Sequence, residues 1–197
     1  MKFKEFLISN KWYILASIGL VGVSVGIAYL LTKKPFSKGL NPEVEDPELS
    51  SKFNIHLIPD GKNNYRSAQI TMDKYEDFIK KYGIKNIIRM NGDGADSKHT
   101  PTLPSTSIAE EKALCEKLGC NFYFINAHEG YVDGKGYVGT LEKALPILAK
   151  GNTLVHCAHG ADRTGYVVAS HLLNTGVMAN KDDLWEYTTQ YNSWQIS

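Results

Sequence analysis

His156-Cys157-Ala158-His159-Gly160-Ala161-Asp162-Arg163-Thr164-Gly165 decides the reading of this 197-residue chain. A cysteine is followed by five residues, then an arginine, a hydroxyl residue and a glycine. In front of it, Thr153-Leu154-Val155-His156 reads as a short buried strand. Behind it, Gly165-Tyr166-Val167-Val168-Ala169-Ser170-His171-Leu172-Leu173 reads as an apolar helix. A strand, a tight loop and a helix N-terminus make an anion trap, because successive backbone N–H groups converge and the helix dipole adds positive charge.

The residue types suit phosphoryl chemistry. A thiol attacks only as its thiolate, a form favoured by a helix N-terminus and a nearby cation. Cys157 opens the loop and Arg163 returns to its mouth. Arginine offers a planar fork that matches two phosphate oxygens. The amides of Ala158, His159, Gly160, Ala161, Asp162 and Arg163 face the equatorial oxygens, where transition-state charge collects. Thr164 can donate a hydrogen bond to the sulfur, and His156 orients the loop from behind.

This stretch resembles the signature of the cysteine-dependent protein tyrosine and dual-specificity phosphatases. Two further stretches fall in the right order. Asn64-Tyr65-Arg66-Ser67-Ala68-Gln69 is similar to an early strand of compact bacterial-type dual-specificity phosphatases. Ile87-Ile88-Arg89-Met90-Asn91-Gly92 sits where these proteins carry a strand ending in a polar turn. The resemblance covers about residues 53–176. It implies a phosphocysteine intermediate on Cys157, phosphate binding by Arg163, and neither metal nor cofactor. Rhodanese-like sulfurtransferases and arsenate reductases also pair a cysteine with a basic anion loop. Low-molecular-weight phosphatases share the spacing but place it near the N-terminus, whereas here it lies in the last quarter of the chain.

The leaving alkoxide needs a proton, which a carboxylic acid near the nucleophile supplies. In the resembled family the acid lies on a loop that corresponds here to residues 126–134, with Asp133 and Glu129 as candidates and His128 behind them. Asp162, inside the phosphate loop, is a second candidate, or it holds Arg163 by an ion pair. Asp93 is a third. The expected substrates are phosphotyrosine, phosphoserine or phosphothreonine proteins. A phosphoinositide or other phosphorylated lipid or small molecule is the alternative, although the loop carries no lysine for a polyphosphorylated headgroup. A phosphate-binding module without turnover, or a sulfurtransferase, would also use such a loop.

Twenty-two basic against 21 acidic side chains give a net charge of +1, which offers no bulk electrostatic case for nucleic acid. Trp12 to Leu31 holds no charge, and its twenty residues suffice as a helix to cross a hydrocarbon core of about 30 Å. Trp12, Tyr13 and Tyr29 sit near its ends, as interfacial aromatics do. This reads as a permanent single-pass anchor, and Gly22-Val23-Ser24-Val25-Gly26 within it could support a helix-mediated dimer. Three cysteines, Cys115, Cys120 and Cys157, give no disulfide framework, and a catalytic thiolate points to the cytoplasmic face. The expected organisation is a short segment 1–11, a transmembrane helix 12–31, a juxtamembrane linker 32–51 and a catalytic domain 52–197.

Within that domain the pattern predicts strands over 53–58, 65–68, 84–90, 121–125 and 153–156. Helices are expected over 72–82 after Thr71, from the capping box at Ser107 to Gly119, over 137–150 with a bend at Pro146, after the phosphate loop, and from 180 or 181 to about 192. Strands alternating with helices imply an α/β fold with a mostly parallel central sheet flanked by helices.

Overall fold

The computed structural model describes residues 46–93, 106–127, 137–178, 180, 182–184 and 187. The expected membrane span 12–31, the acid candidates Asp133 and Glu129, and His128 behind them, lie outside them. Among the described residues no helix is long and apolar enough to cross a membrane.

Five strands form one sheet in the order β1-β2-β5-β3-β4: β1 His56–Leu57, β2 Tyr65–Ser67, β3 Asn86–Arg89, β4 Asn121–Phe124 and β5 Thr153–His156. β1 pairs with β2 antiparallel, and every other pairing is parallel. β5 is central, with Arg66 and Ile88 both in register with Val155. Its four residues are all buried, as a strand covered on both faces requires. Ligands of such sheets bind beyond the carboxyl ends of the strands, where the connections diverge. The sheet therefore aims the loop after His156 at the position a ligand would occupy.

Helix α1, Pro47–Phe53, corrects the sequence reading. Residues 32–51 were expected to be a coreless linker and 53–58 a strand. Instead Asp46 caps the helix, its carboxylate accepting from Leu49 N at 3.1 Å, and Pro47 stands at the first helical position, where a missing N–H costs nothing. Phe53 is buried, Asn54 ends the helix in the left-handed region, and only His56–Leu57 remain as strand.

Helix α2, Met72–Tyr82, begins after Thr71 and ends at Gly83, as expected. Helix α3, Ile108–Leu118, starts at the predicted capping box. Ser107 Oγ accepts from Glu110 N at 3.2 Å, and Glu110 accepts in return from Ser107 N at 2.8 Å. Helix α4, Tyr137–Leu148, carries Pro146 inside its last turn, and helix α5, Asp162–Asn174, follows the phosphate loop. Residues 182–184 and 187 are helical, and the rest of the last expected helix lies outside the described residues.

Strand alternation sorts the core. Tyr65, Ile87 and Leu154 share one face and pack with Phe53, Tyr75, Phe78, Ile79, Leu114 and Cys115 from α1, α2 and α3. Tyr65 meets Phe78 edge-on at 5.6 Å, and Phe78 lies 4.8 Å from Tyr82. Each such side chain contributes about 1.5–3 kcal/mol on burial. Cys115 and Cys120 are free thiols in this layer. Thr153 turns to the other face, where its hydroxyl donates to Ile147 O of α4 at 3.3 Å. α5 is fastened by His171, whose Nε2 lies 2.7 Å from Asp60 Oδ2.

Candidate active site

The loop from His156 to Arg163 is built from the ends of three strands and a helix. Cys157 directly follows β5 and is 3% exposed. Gly160 has φ +69°, and a Cβ there would stand 2.5 Å from Ser67 C and Ala68 N. Glycine is required twice over, by the left-handed backbone and by the close approach of β2. Asp162 and Arg163 open α5, whose first turn closes with Gly165 N on Ala161 O at 2.6 Å.

The loop carbonyls are held from outside. Arg66 Nη2 donates to Gly160 O at 2.7 Å, Asn54 Nδ2 to His159 O at 3.2 Å, and Gln69 N to Ala158 O at 3.2 Å. Three carbonyls are thus tied to groups outside the loop, which frees the intervening amides for an anion of the kind such nests bind. Arg163 Nη1 donates to Met90 O at 3.1 Å, so the guanidinium is seated against the end of β3. Asn91 Nδ2 donates to Gln69 Oε1 at 3.1 Å. The three stretches singled out in the sequence, 64–69, 87–92 and 156–165, thus meet at one loop.

Thr164 is fully buried, and its hydroxyl has no hydrogen-bond partner among the described residues. Asp162 is exposed on the first turn of α5. Asp93 is engaged elsewhere. Its carboxylate accepts from Ile108 N at 2.6 Å at the head of α3, 3.5 Å from Arg89 Nη2.

Behind the loop lies a buried polar cluster that the sequence did not disclose. His156 Nε2 is 2.7 Å from Glu111 Oε1. The same carboxylate accepts from Tyr75 OH and, at 2.8 Å, from Arg89 Nη1. Burial works to raise the Glu111 carboxyl, but His156, Tyr75 and Arg89 outweigh it and hold the group at about 2. Burial, with the Glu111 charge beside it, pushes the Tyr75 hydroxyl well above its ordinary range. Arg89 also donates to the carbonyls of Asn91, Thr106 and Gly92, bracing the turn that receives Arg163.

Arg66, Asn54 and Glu111 are the site residues the loop motif alone misses. Arg66 stood in the quoted 64–69 stretch without a role. Glu111, next to Glu110 in the first turn of α3, reads as one more acid at a helix start and carries no signal of burial.

P. aeruginosa TpbA has the same fold, with a TM-score of 0.54 at 18% identity over 77% of this chain and 79% of its own. Its cysteine-to-serine variant in complex with phosphotyrosine gives 0.54 at 18%, covering 80% of each chain. A DUF442 protein of Shewanella putrefaciens CN-32 gives 0.54 at 15%, over 77% of this chain and 87% of its own. No curated protein matches. The tyrosine phosphatase family matches residues 62–184, from the turn before β2 to beyond α5. By this match over more than half its length, the chain belongs to the tyrosine phosphatase family, among the cysteine-based phosphatases of the protein tyrosine and dual-specificity superfamily.

Proposed function

We propose that the protein hydrolyses phosphate monoesters of phosphorylated proteins through a phosphocysteine at Cys157. One observation carries this reading: Cys157 leaves the central strand directly into a loop whose carbonyls are tied outward and whose far end is a helix N-terminus bearing Arg163. The Cys157 thiolate attacks phosphorus as the ester oxygen departs with a proton from the general acid. Water then attacks the phosphocysteine, the acid group now accepts a proton, and phosphate and thiolate are regenerated. Arg163 and the loop amides hold the equatorial oxygens throughout. Thr164, buried with its hydroxyl unpartnered among the described residues, supplies a donor for the sulfur as it leaves. Asp162 or Asp133 serves as the acid.

The uncharged segment Trp12–Leu31 supports a single-pass anchor that holds the catalytic domain, residues 52–197, at the cytoplasmic face of a membrane. TpbA, which shares the fold, is solved with phosphotyrosine, so an aryl phosphate is the natural first probe. Phosphate release by the full-length wild type should vanish in Cys157→Ser and fall at least about a hundredfold in Arg163→Lys, since a point charge cannot replace the fork. Undiminished release in Cys157→Ser would exclude the covalent route.

A further inference from the structure

Arg89 and His156 occupy the same register on neighbouring strands β3 and β5. Glu111 reaches from α3 across both, with Oε2 taking the Arg89 Nη1 hydrogen at 2.8 Å and Oε1 lying 2.7 Å from His156 Nε2. All three side chains are at most 1% exposed. The Tyr75 hydroxyl donates to the same Oε1.

We propose that Glu111 is a positioning residue of the phosphatase site, fixing the imidazole of His156 with its hydrogen on Nε2 and thereby setting the start of the phosphate loop. The inference deepens the phosphatase reading and rests on it. An ionised carboxylate only accepts, and Glu111, held at about 2, is ionised. The hydrogen in the His156–Glu111 contact therefore belongs to Nε2. The other ring nitrogen, Nδ1, is buried with no partner among the described residues. The imidazole is gripped at one end only, and His156 is bonded covalently to Cys157. The hydrogen bond made at one ring nitrogen decides where the proton of a functional histidine sits.

The chemistry of the replacement amide makes the role testable. In Glu111→Gln, Arg89 can only donate, so the amide oxygen must turn to Arg89. The amide nitrogen then faces His156 Nε2, which becomes an acceptor, and the hydrogen moves to Nδ1. Full-length wild type and Glu111→Gln, labelled with 15N in histidine, would be compared by ring-nitrogen NMR and by steady-state hydrolysis of an aryl phosphate. The His156 signals are assigned by their loss in His156→Asn. The expected result is hydrogen on Nε2 in the wild type and on Nδ1 in the variant. The variant's kcat should fall about tenfold or more, as when the carboxylate that sets a functional histidine's tautomer is lost, with KM within about threefold.

A wild type with Nε2 bare would overturn the proposal even if Glu111→Gln failed to fold. A folded variant with wild-type kcat would overturn it while leaving the phosphatase reading intact. A wild type that leaves the aryl phosphate unhydrolysed would overturn both.

Discussion

Arg66 Nη2 and Gly160 O are hydrogen-bonded at 2.7 Å across 94 residues of sequence. The bond joins β2 to the apex of the phosphate loop, and Arg66 is wholly buried, with its guanidinium also 5.9 Å from the Tyr187 ring. A charge-assisted bond of this kind contributes about 1.5–3 kcal/mol. Arg66→Met should lower unfolding free energy by about that amount and reduce kcat/KM more than tenfold. Urea denaturation and steady-state kinetics on one preparation check both. Loss of stability with unaltered kinetics would mean that the loop keeps its shape without Arg66.

Gly160→Ala tests the loop from the other side. The added methyl would meet the Ser67–Ala68 backbone at 2.5 Å, and φ is +69°. The left-handed backbone alone costs about 1–2 kcal/mol. The steric conflict adds to it, so a total above about 3 kcal/mol is expected, together with loss of phosphate release. Thermal unfolding indistinguishable from wild type would show the loop to be more pliant than its contacts with β2 imply.

The general acid can be found by leaving-group dependence. Asp162→Asn and Asp133→Asn should be assayed on aryl and alkyl phosphates. An alkoxide needs the proton more than a phenolate does, so the variant lacking the acid should lose at least about tenfold more activity on the alkyl ester. Equal losses on both esters in both variants would place the acid elsewhere.

Acid should weaken the fold before it protonates the buried carboxylates. His56 is driven down from 6.5 to about 4 by burial and by the Arg66 charge. Between those values the unfolded chain binds a proton that the folded chain refuses. Stability is therefore full above about pH 6.5 and declines as pH falls toward 4. Discounted for partial exposure, the decline is about 1–3 kcal/mol. Asp60, against its burial, is held below its ordinary range by His171, Lys62 and Asn64, and Glu111 is held at about 2. Both remain ionised through this window. Urea midpoints at pH 7.5 and 4.5 should converge in His56→Gln. An unchanged difference would assign the decline to another group.

Core and surface substitutions separate packing from patterning. Ile87, fully buried beneath α2 and α3, should cost about 2–5 kcal/mol on change to alanine. Leu173, half exposed on α5, should cost no more than about 0.5 kcal/mol.

Much of this architecture was legible because local signals agreed with the fold. The capping box at Ser107, the glycine stops at Gly83 and Gly119, and the short strand Thr153–His156 before Cys157 each report a decision made within a few residues. The 47–53 helix was missed because Asp46, Pro47 and Glu48 read as the end of a solvated spacer. Their actual use is a capping Asp46 and a proline at the first helical position, with only Phe53 and Ser50 buried to fasten it. The polar cluster was illegible for a different reason. Tyr75, Arg89, Glu111 and His156 come from four elements, and sequence spacing says nothing of a carboxylate shared across 36, 22 and 45 residues. Arg66 belonged to a quoted stretch, but only the fold shows that it meets Gly160.

The most direct test is the reaction's covalent intermediate. Full-length wild type mixed with an excess of aryl phosphate, quenched with acid within milliseconds and digested, should yield a peptide carrying one phosphoryl group on Cys157, formed as fast as the phenol burst. Turnover that continues while Cys157 stays unmodified at every quench time would contradict the account.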